Sequence, residues 1–239
     1  MKKHLWLLFL CLYSLPVFAG DANELFYALR TKVLSVKDYT ADVKMKIDVT
    51  YMRIPELKGT LYFKSPDKLR LERHGGLSVF PKKNINLTLV NLIPAGQVMV
   101  LDMGYATRAG KKERILKVVP EDDQSNIVLS KIWVDEENML ALRTETTTRN
   151  DGTVIMDLEF GNYIPYALPD KVTILMDVKD YKLPKGMAMD YISENEVESK
   201  AKASKGTKGS IQITYLKYAV NTGLSDNIFK LKGRNEEEN

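Results

Sequence analysis

The chain of 239 residues has one cysteine and two histidines. That scarcity removes whole classes of chemistry. Cys11 and His4 both lie in the first 19 residues. Beyond them no disulfide can close, no thiol can attack a substrate, and no thiolate or histidine cluster can hold a metal. His74 is left alone beside Gly75-Gly76, where an exposed polar turn residue is expected rather than a catalytic base. The G-x-S-x-G elbow, the phosphate loop G-x-x-x-x-G-K-[ST] and the dinucleotide turn G-x-G-x-x-G are all missing. The sequence nominates no catalytic residue, no metal ligand and no cofactor, so an enzyme is not expected.

Other absences narrow the field further. There is no large excess of either charge: 35 basic residues face 31 acidic ones. No basic stripe marks a nucleic-acid surface. With 44% apolar and 28% charged side chains, neither a disordered chain nor a fibrous repeat is expected. No internal repeat or domain boundary is visible. The longest apolar run, Leu5 to Leu12, is too short for a permanent membrane span. Lys2 and Lys3 precede it, and Pro16 and Val17-Phe18-Ala19 follow. This is the pattern of a secretory signal peptide over 1–19, cleaved near Ala19. Phe9 and Leu10 before Cys11 lack the small residues that a lipid-modified cysteine requires. Residues 20–239 are then expected to form one domain outside the cytoplasm.

What is present is mostly β-strand pattern. A short helix comes first, with Leu25, Leu29 and Val33 at four-residue spacing, Phe26 and Val36 widening the stripe, and Asp21 or Asn23 as its cap. Asp38 is expected to end it. Then Tyr39, Ala41, Val43, Met45, Ile47, Val49 and Tyr51 alternate with polar residues. A strand with one buried face reads this way, and at about 3.3 Å per residue it would run roughly 40 Å. Further strands are expected at Leu57–Lys64, Lys68–Arg73, Val98–Met103, Ile115–Val119, Ile127–Val134, Leu140–Thr148, Thr153–Phe160, Val172–Val178 and Ser210–Val220. Short links between them imply antiparallel neighbours. Residues 84–93 could be a strand or a short helix. The lysine-rich stretch at 182–209 has too little apolar surface to order itself and is expected to be a disordered loop. The acidic tail Glu236-Glu237-Glu238 is expected to be solvated.

The apolar faces of so many strands exceed what one helix of about 21 Å can cover. A second sheet, a closed barrel, or a curved sheet with a partly filled hollow would each meet the need. The inward phase of the strands supplies Val43, Met45, Ile47, Leu61, Phe63, Leu69, Leu71, Met156, Leu158, Ile174 and Met176. These are the candidate lining residues of an apolar cavity.

Three segments carry a family resemblance. "YTADVKMKIDV" and "LKGTLYFKSPDKLRLE" resemble the opening of the LolA/LolB-like outer-membrane lipoprotein-sorting superfamily, with its G-x-x-x-x-K-x-P-x-[KR]-[LF]-[RK] hairpin at Gly59, Lys64, Pro66, Lys68, Leu69 and Arg70. "IWVDEENMLALRTE" with "NDGTVIMDLEF" resembles the central meander, and "ITYLKYAVNTGLSDNIF" the last strand and C-terminal signature. The resemblance implies a mainly β, α+β fold. That fold is a curved antiparallel half-barrel sheet with the N-terminal helix, and a second short helix, on its concave face. It also implies an apolar cavity for the acyl chains of a lipid or lipoprotein, and a periplasmic carrier without cofactor. Such a carrier would be a monomer, with an inner-membrane transporter or outer-membrane acceptor as partner and no nucleic acid. Ser65 stands where the carriers place an arginine, so a lid-controlling role is not carried over to it. A sensor or adaptor module of the same fold, signalling to a membrane partner, is the alternative.

Overall fold

The computed structural model describes residues 21–49, 52–53, 55–74, 93–149, 152–177 and 208–230. Residues 1–19, expected as a signal peptide, residues 84–92, most of the stretch 182–209 expected as a disordered loop, and the acidic tail lie outside them. The helix α1 spans Ala22–Leu34. The Asp21 carboxylate caps it by accepting the Asn23 amide, and Glu24 sits in the first turn, where the helix dipole favours an acid. Ser35 closes its C-terminus. Asp38 does not end the helix. It opens the first strand, buried, and its carboxylate accepts the amides of Thr222 and Gly223 at 2.8 and 3.1 Å. The side chain of Asn221 returns the tie by accepting the Lys37 amide at 2.7 Å. The buried carboxylate thereby gains two amide donors from a distant loop.

Among the described residues eleven strands follow: β1 Asp38–Val49, β2 Met52–Arg53, β3 Leu57–Lys64, β4 Lys68–Arg73, β5 Val98–Arg108, β6 Lys111–Pro120, β7 Ile127–Asp135, β8 Leu140–Thr148, β9 Gly152–Glu159, β10 Lys171–Asp177 and β11 Lys208–Val220. They form one antiparallel sheet in the order β4-β3-β1-β11-β10-β9-β8-β7-β6-β5, with β2 beside β1. The sheet ends on β4 and β5 and is not closed into a barrel. It is the curved half-barrel with a helix that the family resemblance implies, one of the three arrangements the strand pattern left open.

Strand parity decides which face is buried. Tyr39, Ala41, Val43, Met45 and Ile47 of β1 are all buried. Cross-strand register then carries the apolar face sideways. Leu116, Ile132, Thr144, Met156, Ile174, Ile211 and Ile47 are successive partners from β6 to β1. Each is 5% exposed or less. A second row runs Leu158, Val172, Ile213, Met45 and Leu57. The helix lays Leu25, Phe26, Leu29 and Val33 into the same core. Its polar side is pinned by Arg30, which donates to the Gly96 carbonyl at 2.8 Å, and by Lys32, which donates to the Asn138 carbonyl.

Four register shifts bend the sheet: at β1/β11, in β5/β6, and twice in β7/β8. Each extra residue switches the parity of its strand and tightens the local twist. At the first, Asp42 faces Lys217 and Val43 faces Tyr215, so Leu216 is left over and stands 56% exposed. Tyr215 and Tyr218, three apart, thereby both point inward. The β5–β6 hairpin is longer than the apolar pattern suggests, because its polar tip turns at Ala109 and Gly110 with φ of 50° and 79°. Arg108 near that tip bonds Asp157 on β9 at 2.9 Å, and Arg114 on β6 bonds Asp102 at 2.7 Å and Glu136 at 2.9 Å.

Two predictions come from this architecture. Phe26, fully buried at the centre of the helix stripe, should cost about 3–5 kcal/mol when replaced by alanine; urea unfolding measures it, and a cost under 1 kcal/mol would mean the helix is not part of the core. The hydrogen bond from Arg114 holds Asp102 below the usual aspartate pKa. Its contribution is therefore complete above the unfolded value of about 3.9 and fades as pH falls through the lower folded one. Asp102→Asn should narrow the stability gap between neutral pH and pH 3, and an unchanged gap would assign the acid sensitivity elsewhere.

Candidate functional site

A cavity of about 40 Å³ lies beneath the C-terminal end of α1. Val33 and Val36 roof it. Phe63, Met156, Leu158 and Val172 rise from the sheet, and Tyr39, Tyr215 and Tyr218 form one flank. The segment Tyr166–Pro169 closes the other side. It leaves a single 3-10 turn, Ile164–Tyr166, through Ala167 in the left-handed conformation at φ 50°.

The tyrosines form a connected aromatic group. Tyr39 stacks on Phe63 with ring centres 5.1 Å apart, and Tyr215 stacks on Tyr218 at 5.1 Å. Tyr218 meets the edges of Tyr39 and Tyr163 at 5.3 and 4.8 Å. Offset and edge contacts of this kind add about 0.5–1.5 kcal/mol beyond area burial. The Tyr218 hydroxyl donates to the Pro169 carbonyl at 2.7 Å, the Tyr163 oxygen accepts the Tyr218 amide at 3.3 Å, and the hydroxyls of Tyr39 and Tyr215 bond each other. Burial pushes the phenols of Tyr39, Tyr215 and Tyr218 above their ordinary value. All three are neutral at physiological pH, so this flank bears no charge.

Of the sequence-derived lining residues, Phe63, Met156 and Leu158 border this cavity. Val43, Met45, Ile47, Leu61, Leu71 and Ile174 are buried on the same face but away from it, within continuous core. Leu69 is half-buried against that core. Met176 pairs with Gly209 through the backbone; its side chain lies outside the described residues. Sequence reasoning missed the contribution of Tyr163, Tyr215 and the 166–169 wall. Tyr215 and Tyr218 break a two-residue period, so only one of them can be assigned inward without knowledge of the bulge.

The cavity holds little as it stands. An apolar hole of about 150 Å³ takes one benzene, and this one is under a third of that. A hydrocarbon chain needs α1 or the 166–169 wall to move. No group of three or more histidine, cysteine, aspartate or glutamate residues that could hold a metal occurs among the described residues.

No family model matches the sequence, and no curated protein sequence is significantly similar to it. Solved structures do match in fold. A LolA superfamily protein from Nitrosomonas europaea superposes with a TM-score of 0.55 at 10% identity, over 89% of this chain and 99% of that one. A DUF1329 family protein from Desulfovibrio piger gives 0.51 at 14% identity, over 88% and 98%. A domain from Vibrio parahaemolyticus named for outer membrane lipoprotein sorting gives 0.50 at 12%, over 87% and 97%. The chain has the LolA-like fold.

The hydrogen bond from Tyr218 to Pro169 generates a prediction. Tyr218→Phe leaves a buried carbonyl without its donor, at a cost of about 1–3 kcal/mol, and should speed amide exchange at Ala167 and Leu168. Exchange rates equal to those of the parent protein would show that the bond does not hold the wall.

Proposed function

We propose that the protein is a periplasmic carrier that shields the acyl chains of a lipid or lipoprotein during transfer between envelope membranes. The observation that supports this most is the cavity under α1: uncharged, lined by aliphatic and tyrosine side chains, and set in the concave face of a LolA-like sheet. The physical need is plain. Each methylene leaving a membrane for water costs about 0.8 kcal/mol, so a free acylated molecule crosses an aqueous compartment too rarely. A hollow of apolar side chains replaces the membrane as solvent and requires no cofactor.

On this reading the cavity is the closed end of a larger site, and α1 is its lid. The helix is suited to that. It follows no strand of the sheet, and its polar anchors are the Arg30 and Lys32 contacts with carbonyl oxygens. When it lifts, the inner rows from Val43, Met45 and Ile47 through Ile174 and Met156 become the floor. Methionine suits such a floor because its thioether adapts to irregular chains.

The test is to measure uptake of a fluorescent fatty acid by a size series at Val33, which faces the cavity from the lid. Val33→Ala should raise uptake, and Val33→Phe should lower it severalfold while the protein stays folded. Native mass spectrometry of protein taken from its own envelope should reveal a bound species of acyl-lipid mass. Met45→Glu or Ile47→Glu, each placing an acid in the buried face, should abolish that co-purification or unfold the protein; a folded variant that still binds acyl chains would show that the inward phase is wrong. No uptake by the parent protein, or uptake indifferent to Val33, would defeat the proposal.

A further inference from the structure

The outer face of the sheet carries an apolar row that the cavity does not use. On β5, an edge strand with one neighbour among the described residues, Met99, Leu101 and Met103 share one parity and are 56%, 42% and 54% exposed. A large apolar side chain standing in water is ordinary; three in a row along an edge are not. One strand inward, Leu101 faces Lys117, and Lys117 in turn faces Lys131 on β7. Two like charges directly opposite each other repel. Neither has an ion-pair partner among the described residues; the Lys131 ammonium rests 4.7 Å from the Trp133 ring centre.

Most acids of this region are held by other cations. Asp102 and Glu136 are held by Arg114, and Glu113 and Asp157 by Arg108. Glu145 faces Lys131 from β8 and offsets part of its charge without a close ion pair among the described residues, so Lys117 is the less compensated of the two. The acidic turn Glu121-Asp122-Asp123 lies beyond the Val98 end of β5 and bounds the patch there.

We infer that this face docks on an anionic lipid bilayer. The apolar row would enter the region between headgroups and acyl chains, and the paired lysines behind it would meet lipid phosphates. Apolar tips with basic shoulders are the arrangement that an anionic membrane surface rewards. Unbranched methionine and leucine side chains accommodate disordered lipid without a shaped pocket. The site also adjoins the lid. Arg30 of α1 bonds the carbonyl of Gly96, two residues before β5, so docking brings the helix beside the bilayer. This inference stands apart from the carrier reading, because surface binding needs no cargo.

The experiment is vesicle flotation of the ligand-free protein at low and high salt, using phosphatidylcholine with and without phosphatidylglycerol. Binding is expected only with the anionic lipid and should weaken as salt rises. A lysine near such a surface contributes about a fivefold factor. Lys117→Glu with Lys131→Glu should therefore reduce partitioning more than tenfold, and Leu101→Ser with Met103→Ser likewise by more than tenfold. Leu216→Ser, which alters an equally exposed residue on β11, should leave it unchanged. Circular dichroism confirms that each variant is folded. Absence of flotation, equal flotation on uncharged vesicles, or an equal loss in Leu216→Ser would overturn the inference. Failed fatty-acid uptake with intact flotation would count against the carrier reading alone.

Discussion

The structure depends on an open sheet that is apolar on one side. Ten strands paired in a line bury their backbone donors and acceptors in each other, but they leave the inner row from Leu116 to Ile47 facing a hollow. A flat sheet could not cover that row by itself. Bulges curl it, and α1 then inserts Leu25, Phe26, Leu29 and Val33 into what remains. At roughly 1.5–3 kcal/mol for each large apolar side chain removed from water, these four residues give the helix about 6–12 kcal/mol of purchase. That is of the same order as the stability of a whole domain. The helix is therefore an integral part of the fold and also the element whose displacement would expose the most apolar surface.

Polar groups handle the ends of this arrangement. Asp38, at the junction of helix and sheet, accepts the amides that follow the last strand, so the two chain-distant edges of β1 and β11 are locked in register by one carboxylate. Arg108 and Arg114 act similarly at the β5–β6 hairpin. Arg114 is buried and would be costly alone; two carboxylates, Asp102 and Glu136, complete its hydrogen bonds, and the Asp102 bond above all keeps it protonated. The Thr144 hydroxyl is different. It is fully buried between Ile132 and Met156, and no partner reaches it among the described residues.

Much of this was legible from residue order. Perfect alternation from Tyr39 to Val49 identified β1 and its buried face, and the four-residue spacing of Leu25, Leu29 and Val33 identified the helix stripe. Both patterns are periodic, and a period is what a sequence displays. The bulges are aperiodic. One additional residue at Leu216 reverses the parity of half a strand, yet Tyr215-Leu216-Lys217-Tyr218 carries no local mark of it. The cavity flank was hidden for this reason. Asp38 was hidden for another: a polar residue after an apolar stripe looks like a helix terminus, and only the approach of Thr222 and Gly223, more than 180 positions away, shows it to be a buried cap. Conversely, the inward residues away from the cavity, such as Leu61 and Leu71, are indistinguishable by pattern from those that border it. Parity tells which face is apolar and not where the packing falls short.

The small volume of the cavity bears directly on how a carrier of this build would work. A rigid, ready-made hollow for an acyl chain would be open to water when empty, or would bind too tightly to release. Here the hollow is filled by the protein's own helix. Burying about fourteen methylenes of a fatty acyl chain at 0.8 kcal/mol each is worth roughly 11 kcal/mol, close to the burial that the four helix side chains would give up. Exchange of helix for cargo is then nearly balanced. Near-balance permits loading at one membrane and release at another without a large trap in between, because a ligand shifts such an equilibrium only by its differential affinity for the two states. A lid whose apolar stripe imitates the cargo is therefore consistent with both a packed interior and a transport role.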